Sequence, residues 1–448
     1  MTYAAATRYV EGLAILGMRF GLERMIRLLG ALGEPHRTAS AIQVVGTNGK
    51  SSTSRLASAC LRSQGARVGT YLSPHIVGWR ERIEVDQRAV GQAPFARAIA
   101  AVRDAAAALD LQDDEGVTQF EVLTAAAFTV FAEANLDAVV IEAGLGGRYD
   151  ATNVMGPDTV LVLTNVALEH TELLGTTEAQ IAAEKLAIAA DGSDQLIIGR
   201  LSKRAQSAVS EECQARSLSG WRVGHEIQVA EGPRGVDVTT PFEHYSALPL
   251  PLHGAFQRDN LAVAVAAAER RLGTPMRIGP LRRAVGRVTM AGRLEVVGDR
   301  PLVILDGAHN PAGVEAMAGS ITAIVGGRRT VAVVSILGDK DAAAMVGPLA
   351  GVCAAVIATR SSHPRAAAPA VIAHLAKLAG METQIVDDPL EAVRHAHALV
   401  GEAGAILVCG SLYLLADVRD AVMTGVSTGA GMLSDRARRT GNEGVGYH

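Results

Sequence analysis

Short β-branched runs alternate along this chain with alanine-rich stretches whose apolar residues recur at helical spacing. Such alternation predicts parallel sheets covered by helices, because neither element can bury its apolar face alone. In the first half, Ile42–Val45, Val68–Tyr71, Ala138–Ile141, Thr159–Leu163 and Leu196–Ile198 read as strands. Thr53–Ser63, Pro94–Leu109, Glu121–Ala134 and Glu178–Ala190 read as helices between them. An irregular, β-leaning region runs from Trp221 to Leu252, and then the pattern restarts. Strands at Leu302–Leu305, Thr330–Ser335, Ala354–Ala358, Glu382–Ile385 and Ala405–Val408 alternate with helices at Ala312–Ile324, Ala342–Leu349, Ala366–Leu378 and Pro389–Val400. The fold class is therefore α/β: a larger, mostly parallel N-terminal sheet domain over residues 1–296 and a smaller Rossmann-like α/β domain over 297–425. The Gly298-Asp299-Arg300-Pro301 turn supplies the boundary. Residues 426–448, rich in Gly, Ser and Arg, read as a mobile tail.

Composition narrows the function classes. At 448 residues with 49% hydrophobic and 20% charged side chains, the chain can bury sizeable cores and is not disordered by composition. A net charge of −4 gives no basic face of the kind that nucleic acid requires, so an anionic ligand must be handled locally. Cys60, Cys213, Cys353 and Cys409 form no Cys-x-x-Cys pair, which suits reduced, buried thiols in a cytoplasmic protein. Met1 to Val10 lacks the pattern of a secretory signal, and the apolar runs are broken by charges before reaching membrane-spanning length. The expectation is a cytoplasmic protein with no nucleic-acid or membrane partner.

The chemistry concentrates where strands end, since open α/β sheets bind ligands just beyond their carboxyl ends. After the first strand comes Gly46-Thr47-Asn48-Gly49-Lys50-Ser51-Ser52, a glycine turn that opens a helix and gives the domain its P-loop character. Its backbone N–H groups and the positive helix end would face a polyphosphate, Lys50 would add a point charge, and the Ser51 or Ser52 hydroxyl could touch magnesium. Val44 stands where the general phosphate-loop pattern has glycine, so the loop is a shortened variant. After the later strands come Ser73-Pro74-His75, Glu142 with Gly144-Leu145-Gly146-Gly147, and Thr164-Asn165 leading to Glu169-His170. Ser73 and Glu142 offer the oxygen ligands magnesium prefers, and His170 a nitrogen for a second site, whereas His75 reads as a loop residue. Lys185 reads, from its own segment, as a solvent-facing lysine beside Glu184. In the second half, Asn310 and Pro311 suit a helix cap and first turn. Asp306 and His309 exceed that role and point to a second wall of a cleft, while Arg293 precedes the boundary, where it could reach phosphates.

Taken together, the Gly46–Ser51 loop, Ser73-Pro74-His75, Glu142–Arg148, Asp150-Ala151-Thr152-Asn153, His170-Thr171, Glu184-Lys185 and Asp306–Pro311 resemble the folylpolyglutamate synthase and dihydrofolate synthase family of the Mur ligase superfamily. The resemblance runs from about Gly17 to Leu415. It implies a monomeric ATP-dependent acid–amino-acid ligase that joins L-glutamate to dihydropteroate, to reduced folates, or to both, through an acyl phosphate. Residue by residue, it implies that Thr47, Asn48, Gly49, Lys50 and Ser51 bind ATP phosphates and that Ser73 and Glu142 hold a first Mg2+ and His170 a second. Lys185 becomes a lysine carbamylated by carbon dioxide, and Lys50, Lys185 and His170 form the catalytic set. Asn260, Arg293 and Asp306 would contact ATP, and His309 and Ser411 glutamate. Met18, Arg19, Phe20, Thr118, Gln119, Phe120, Glu121, Tyr149, Asp150 and Ala151 would line the pterin side, with 73–86 a loop between the two sites. Ser51, Glu169, Leu186, Tyr149 and Met290-Ala291 depart from the usual glycine, aspartate, alanine, leucine and proline. The competing readings are a Mur ligase acting on a UDP-muramoyl precursor, a P-loop kinase or NTPase switch, and a non-catalytic nucleotide-binding module.

Overall fold

Residues 1–13, 20–109 and 116–426 are described by the computed structural model. The chain divides into two units, Met1–Pro251 with Phe256–Val288, and Leu252–Ala255 with Thr289–His448. In the first unit, eight strands among the described residues form one sheet: β1 (Ser40–Val45), β2 (Val68–Tyr71), β3 (Ile83–Val85), β4 (Arg88–Ala89), β5 (Ala138–Glu142), β6 (Val160–Leu163), β7 (Leu196–Ile198) and β8 (Gly220–Arg222). Their order is β4-β3-β2-β5-β1-β6-β7-β8. The strands from β2 through β8 in that order run parallel, and the β3–β4 hairpin is added antiparallel at one edge.

This order fixes where a ligand can sit. The chain leaves β1 for β2, returns to β5, and then crosses to β6 on the other side of β1. Such a reversal opens a crevice at the carboxyl ends. The register sets Val44 opposite Glu142 and Val45 opposite Leu163, so the ends of three neighbouring strands are level. Every residue of β5 and β6 is buried, as expected of a parallel sheet covered on both faces.

The helix after β1 begins at Lys50, three residues before the expected start at Thr53, because Gly49 adopts the left-handed φ of 82° and turns the chain directly into it. The Glu178 helix ends at Leu186, short of Ala190. The irregular region resolves mainly into an antiparallel sheet of β9 (Gln228–Gly232), β10 (Gly235–Thr239) and β11 (His244–Leu248). The helix Phe256–Leu272, absent from the sequence reading, is buried continuously from Leu261 to Glu269. A helix apolar all round carries no amphipathic period by which to detect it.

In the second unit, β12 (Glu295–Asp299), β13 (Leu302–Leu305), β14 (Thr330–Val334), β15 (Ala355–Ala358), β16 (Glu382–Ile385) and β17 (Ala405–Cys409) form a sheet ordered β12-β13-β17-β14-β15-β16. Only β12 is antiparallel. The Gly298–Pro301 turn therefore closes a β12–β13 hairpin within this unit, and the division falls at Val288/Thr289 instead of 296/297. The expected tail from 426 lies, but for residue 426 itself, outside the described residues. All four cysteines are buried and free, and no helix among the described residues is long and apolar enough to cross a membrane.

Candidate functional site

The glycine loop after β1 is built by its neighbours as much as by its own residues. Gly46 has φ 146°, and a Cβ there would overlap the Thr164 side chain at the end of β6. That close approach lets Thr164 Oγ1 and Asn165 Nδ2 both donate to Asn48 O, at 2.7 and 3.1 Å. Asn48 N donates to Asn165 Oδ1 at 2.9 Å, and Thr47 Oγ1 exchanges bonds with Ala167 O and N. Behind the loop, a Cβ on Gly49 would stand 2.6 Å from Asn260 Oδ1, so the Phe256 helix packs directly on the turn. Asn260 donates to Gln257 Oε1, and Gln257 Nε2 in turn donates to Ser52 Oγ at 3.3 Å. Gln257 was not singled out by sequence, because nothing local marks it.

Two lysines converge on this loop. Lys50 Nζ donates to the carbonyls of Gly46 and Thr47, each at 3.0 Å. Lys185 Nζ donates to the same Gly46 oxygen at 3.1 Å. Lys185 is 3% exposed, which corrects the solvent-facing reading of its segment. Burial, followed by the Lys50 charge, brings its ammonium down to about pKa 7. Its helix is held against the loop after β5: a Cβ on Gly147 would meet Lys185 O at 2.5 Å, and Arg148 N donates to Glu184 O at 3.1 Å.

Glu142, 1% exposed at the end of β5, accepts from Ser51 Oγ at 2.9 Å and from Ser73 N at 3.2 Å. A buried carboxylate beside the Ser51 hydroxyl and the Ser73 backbone offers hard oxygen of the kind Mg2+ and Mn2+ take. His170 adopts a left-handed φ of 49°, and its ring lies 4.0 Å from Glu169 and 3.7 Å from Glu172. No group of three or more His, Cys, Asp or Glu side chains among the described residues forms a metal cluster by itself.

The remaining N-terminal candidates fall into two kinds. Thr118 and Glu121 form a reciprocal capping box at the start of the Gln119–Ala134 helix, and Glu121 also pairs with Arg24 at 3.1 Å. Gln119 Nε2 donates to Val10 O, while the Phe120 ring lies against Gly144, where a Cβ would meet it at 2.6 Å. Asp150 is buried and occupied within its own loop, accepting from Leu145 N, Thr152 N and Thr152 Oγ1. Gln43, the one amide in the β1 run, ties Thr152 to the central strand through Nε2 at 2.8 and 2.9 Å. Phe20 and Tyr149, by contrast, are exposed and stack edge to face with centroids 5.8 Å apart. Ala151 is buried beside them in sequence, and Met18 and Arg19 lie outside the described residues. In the 73–86 segment, Glu81 accepts from three backbone N–H groups, and His75 accepts from Arg82 and packs on Trp79.

In the second unit, Asp306 is 4% exposed and accepts from Leu294 N and Ala308 N, both at 2.8 Å. Burial raises its pKa, against the opposing charge of Arg293. A Cβ on Gly307 would contact the Arg293 guanidinium and Leu412, which puts Arg293 beside the Asp306 loop. His309 Nδ1 lies 2.9 Å from Gly307 O, Asn310 caps the Pro311–Val325 helix, and Ser411 Oγ accepts from Tyr413 N at 3.1 Å.

Two family models match the chain: the Mur ligase middle domain over residues 44–268 and the Mur ligase glutamate ligase domain over 292–412. It is 32% identical to the folylpolyglutamate synthase of Lacticaseibacillus casei, across 95% of this chain and 100% of that protein. It is 33% identical to a probable bifunctional folylpolyglutamate synthase/dihydropteroate synthase of Haloferax volcanii, across 98% of this chain but 53% of the relative, and so spans about half of that protein. A Mycobacterium tuberculosis folylpolyglutamate synthase complexed with ADP shares the fold at TM-score 0.87 and 30% identity, covering 94% of this chain and 99% of that one. An Escherichia coli relative in complex with DHPP and ADP aligns at TM-score 0.85 and 30% identity over 95% and 98% of the two chains. A bifunctional folylpolyglutamate synthase/dihydrofolate synthase with Mn, AMPPNP and L-glutamate bound aligns at 0.82 and 27% identity over 94% and 98%.

Proposed function

This chain belongs to the folylpolyglutamate synthase/dihydrofolate synthase family of Mur ligases, and on that premise we propose that it joins L-glutamate to dihydropteroate, to the glutamate tail of reduced folates, or to both. It is an ATP-dependent amide-forming ligase. A free carboxylate is a poor electrophile, so the acid oxygen first attacks the γ-phosphorus of ATP. The bond to the β–γ bridging oxygen breaks, ADP leaves, and an acyl phosphate remains. The glutamate amine then attacks the acyl carbon; the C–O bond breaks to release phosphate, and the amine loses a proton. A protein serves such a sequence by positioning and charge neutralisation.

The observation that carries this reading is the convergence of Lys50 and Lys185 on one loop carbonyl, Gly46 O. Oxygens of the loop hold ammonium groups where phosphate oxygens would take over. Lys50 moves from those carbonyls to the phosphates, while the amides of Thr47 to Ser51 and the helix start bind the rest. Asn260, packed on Gly49, bounds the nucleotide from behind. Arg293 and Asp306 are assigned to ATP, and His309 and Ser411 to glutamate. The exposed Phe20–Tyr149 pair, with Met18, Arg19, Thr118 to Glu121, Asp150 and Ala151, is assigned to the pterin; an apolar ring pair suits a flat heterocycle.

Ser73 and Glu142 would hold one Mg2+, and His170 with Lys185 a second. Bound there, the ions would neutralise phosphate charge. Lys185 suits carbamylation because a pKa of about 7 leaves much of its amine neutral near neutral pH. The neutral amine adds carbon dioxide and releases a proton, becoming an anionic carbamate. The protein acts as a monomer on small-molecule substrates. The alternative, a ligase for UDP-muramoyl precursors, is supported only at superfamily level. With ATP, magnesium and glutamate, purified protein is expected to release ADP only when dihydropteroate or a reduced folate is added. Release with a UDP-muramoyl acceptor and silence with both pterins would overturn the assignment.

A further inference from the structure

We propose that Arg200 is a positioning residue for nucleotide binding: its fork on Asp259 holds the neighbouring Asn260 against the phosphate loop. The inference rests on the assignment of that loop and Asn260 to ATP, and adds a residue that acts through Asn260.

Arg200 stands at the carboxyl end of β7, one residue beyond Gly199. Gly199 N donates to Leu163 O at 2.8 Å, and a Cβ on Gly199 would stand 2.1 Å from Thr164 O. The chain therefore leaves β7 directly against Thr164, which grips Asn48 in the loop. From there Arg200 Nε and Nη2 donate to Asp259 Oδ2 and Oδ1 at 2.9 and 3.0 Å. Two bonds from a planar guanidinium fix direction as well as distance, which a single ammonium contact does not. Asp259 lies in the first turn of the Phe256–Leu272 helix, where a carboxylate also suits the helix dipole. The next residue, Asn260, packs on Gly49. The contacts close a ring: loop to the β6 end through Asn48, β6 to β7 through Gly199, β7 to the helix through Arg200, and helix to loop through Asn260.

The far end of the same helix supplies a contrast. Arg270 donates to Gln195 Oε1, Asp194 O and Asp194 Oδ2 at 3.2, 2.9 and 2.8 Å, just ahead of β7, and its guanidinium lies over the Trp221 ring. The two arginines pin the helix to opposite ends of β7, and of the two it is Arg200 that does so beside Asn260.

Calorimetric titration of the full-length protein with ADP and magnesium tests this. Arg200→Ala is expected to weaken ADP binding about fivefold, the upper range for an exposed but bidentate pair. In turnover, KM for ATP should rise by the same factor while kcat and KM for glutamate stay within about twofold of wild type. Asp259→Ala should match it, and the double variant should lose no more than either single one, because the two residues act as a unit. Arg270→Ala should lower the melting temperature yet leave ADP affinity within about twofold of wild type. Unchanged ADP affinity in Arg200→Ala, an equal loss in Arg270→Ala, or multiplied losses in the double variant overturns the inference. Wild-type protein that binds no ADP overturns instead the nucleotide reading on which it rests.

Discussion

Both parallel sheets gather polar residues at the carboxyl ends of their strands, yet they use them differently. In the first unit these side chains bond across long stretches of sequence: Asn48 to Asn165 spans 117 residues, Thr47 to Ala167 spans 120, Ser51 to Glu142 spans 91 and Lys185 to Gly46 spans 139. In the second, Asn310 bonds an amide three residues on, and Ser411 and His309 bond backbone two residues away. Asp306 reaches farther, but only twelve residues back to Leu294. One end is a loop network whose cations rest on carbonyl oxygens; the other combines local caps and turns with uncharged links of 26 and 28 residues, Ser361 N to Ser335 Oγ and Thr359 Oγ1 to Asp387 O, and a 55-residue link from Ser362 to Asp417. On the proposed reading, the charge preorganised at the first end is where phosphoryl transfer would take place.

The largest test of this contrast removes a cation from the network. Lys185→Ala is expected to lower steady-state ADP release by about 10²- to 10³-fold, the usual loss of a charge-stabilising group, and bicarbonate should not restore it. Normal turnover in this variant would reduce Lys185 to a packing residue. Next come the glycines of the two ends. Gly46→Ala places a Cβ into Thr164 at a left-handed φ and should cost about 3 kcal/mol in urea unfolding. Gly307→Ala meets mainly the flexible ends of Arg293 and Leu412 and should cost about 1 kcal/mol. Equal costs would erase the distinction between a locked loop and an adaptable one.

A smaller effect concerns pH. Because burial and Lys50 hold Lys185 at about 7, its neutral fraction rises about tenfold between pH 6 and 8. The bicarbonate-dependent part of the activity should rise by that factor, with a midpoint near 7. The stability linkage has the same sign: between about 7 and the ordinary 10.5 the unfolded chain binds more protons at this lysine, so its contribution rises with pH across that window. A bicarbonate response that falls with pH would contradict the proposal. Smallest is Asn310→Ala, which loses one helix cap and should lower stability by about 1 kcal/mol with little change in KM for ATP.

The same contrast explains what could be read from the chain alone. The Gly46–Ser51 turn was legible because glycine spacing, a preceding strand and a following helix are local signals. Asn310 and Pro311 were legible as a cap for the same reason. Lys185 was not: its segment looks amphipathic and polar, and only the packing of its helix on the Gly147 loop buries the ammonium beside Lys50. Likewise Gln257 and the direction of Ser51 depend on which strands become neighbours, which no single motif states. The hairpin at Gly298–Pro301 was taken for a boundary because a turn signal does not reveal whether the flanking runs pair.

The central claim is that the acid is activated as an acyl phosphate by the site built around Gly46. Dihydropteroate labelled with ¹⁸O in its carboxylate, turned over with ATP, magnesium and glutamate, tests it directly. The account predicts that one labelled oxygen per turnover appears in the released phosphate, because the attacking carboxylate oxygen leaves on phosphorus. Amide product formed with unlabelled phosphate would contradict it.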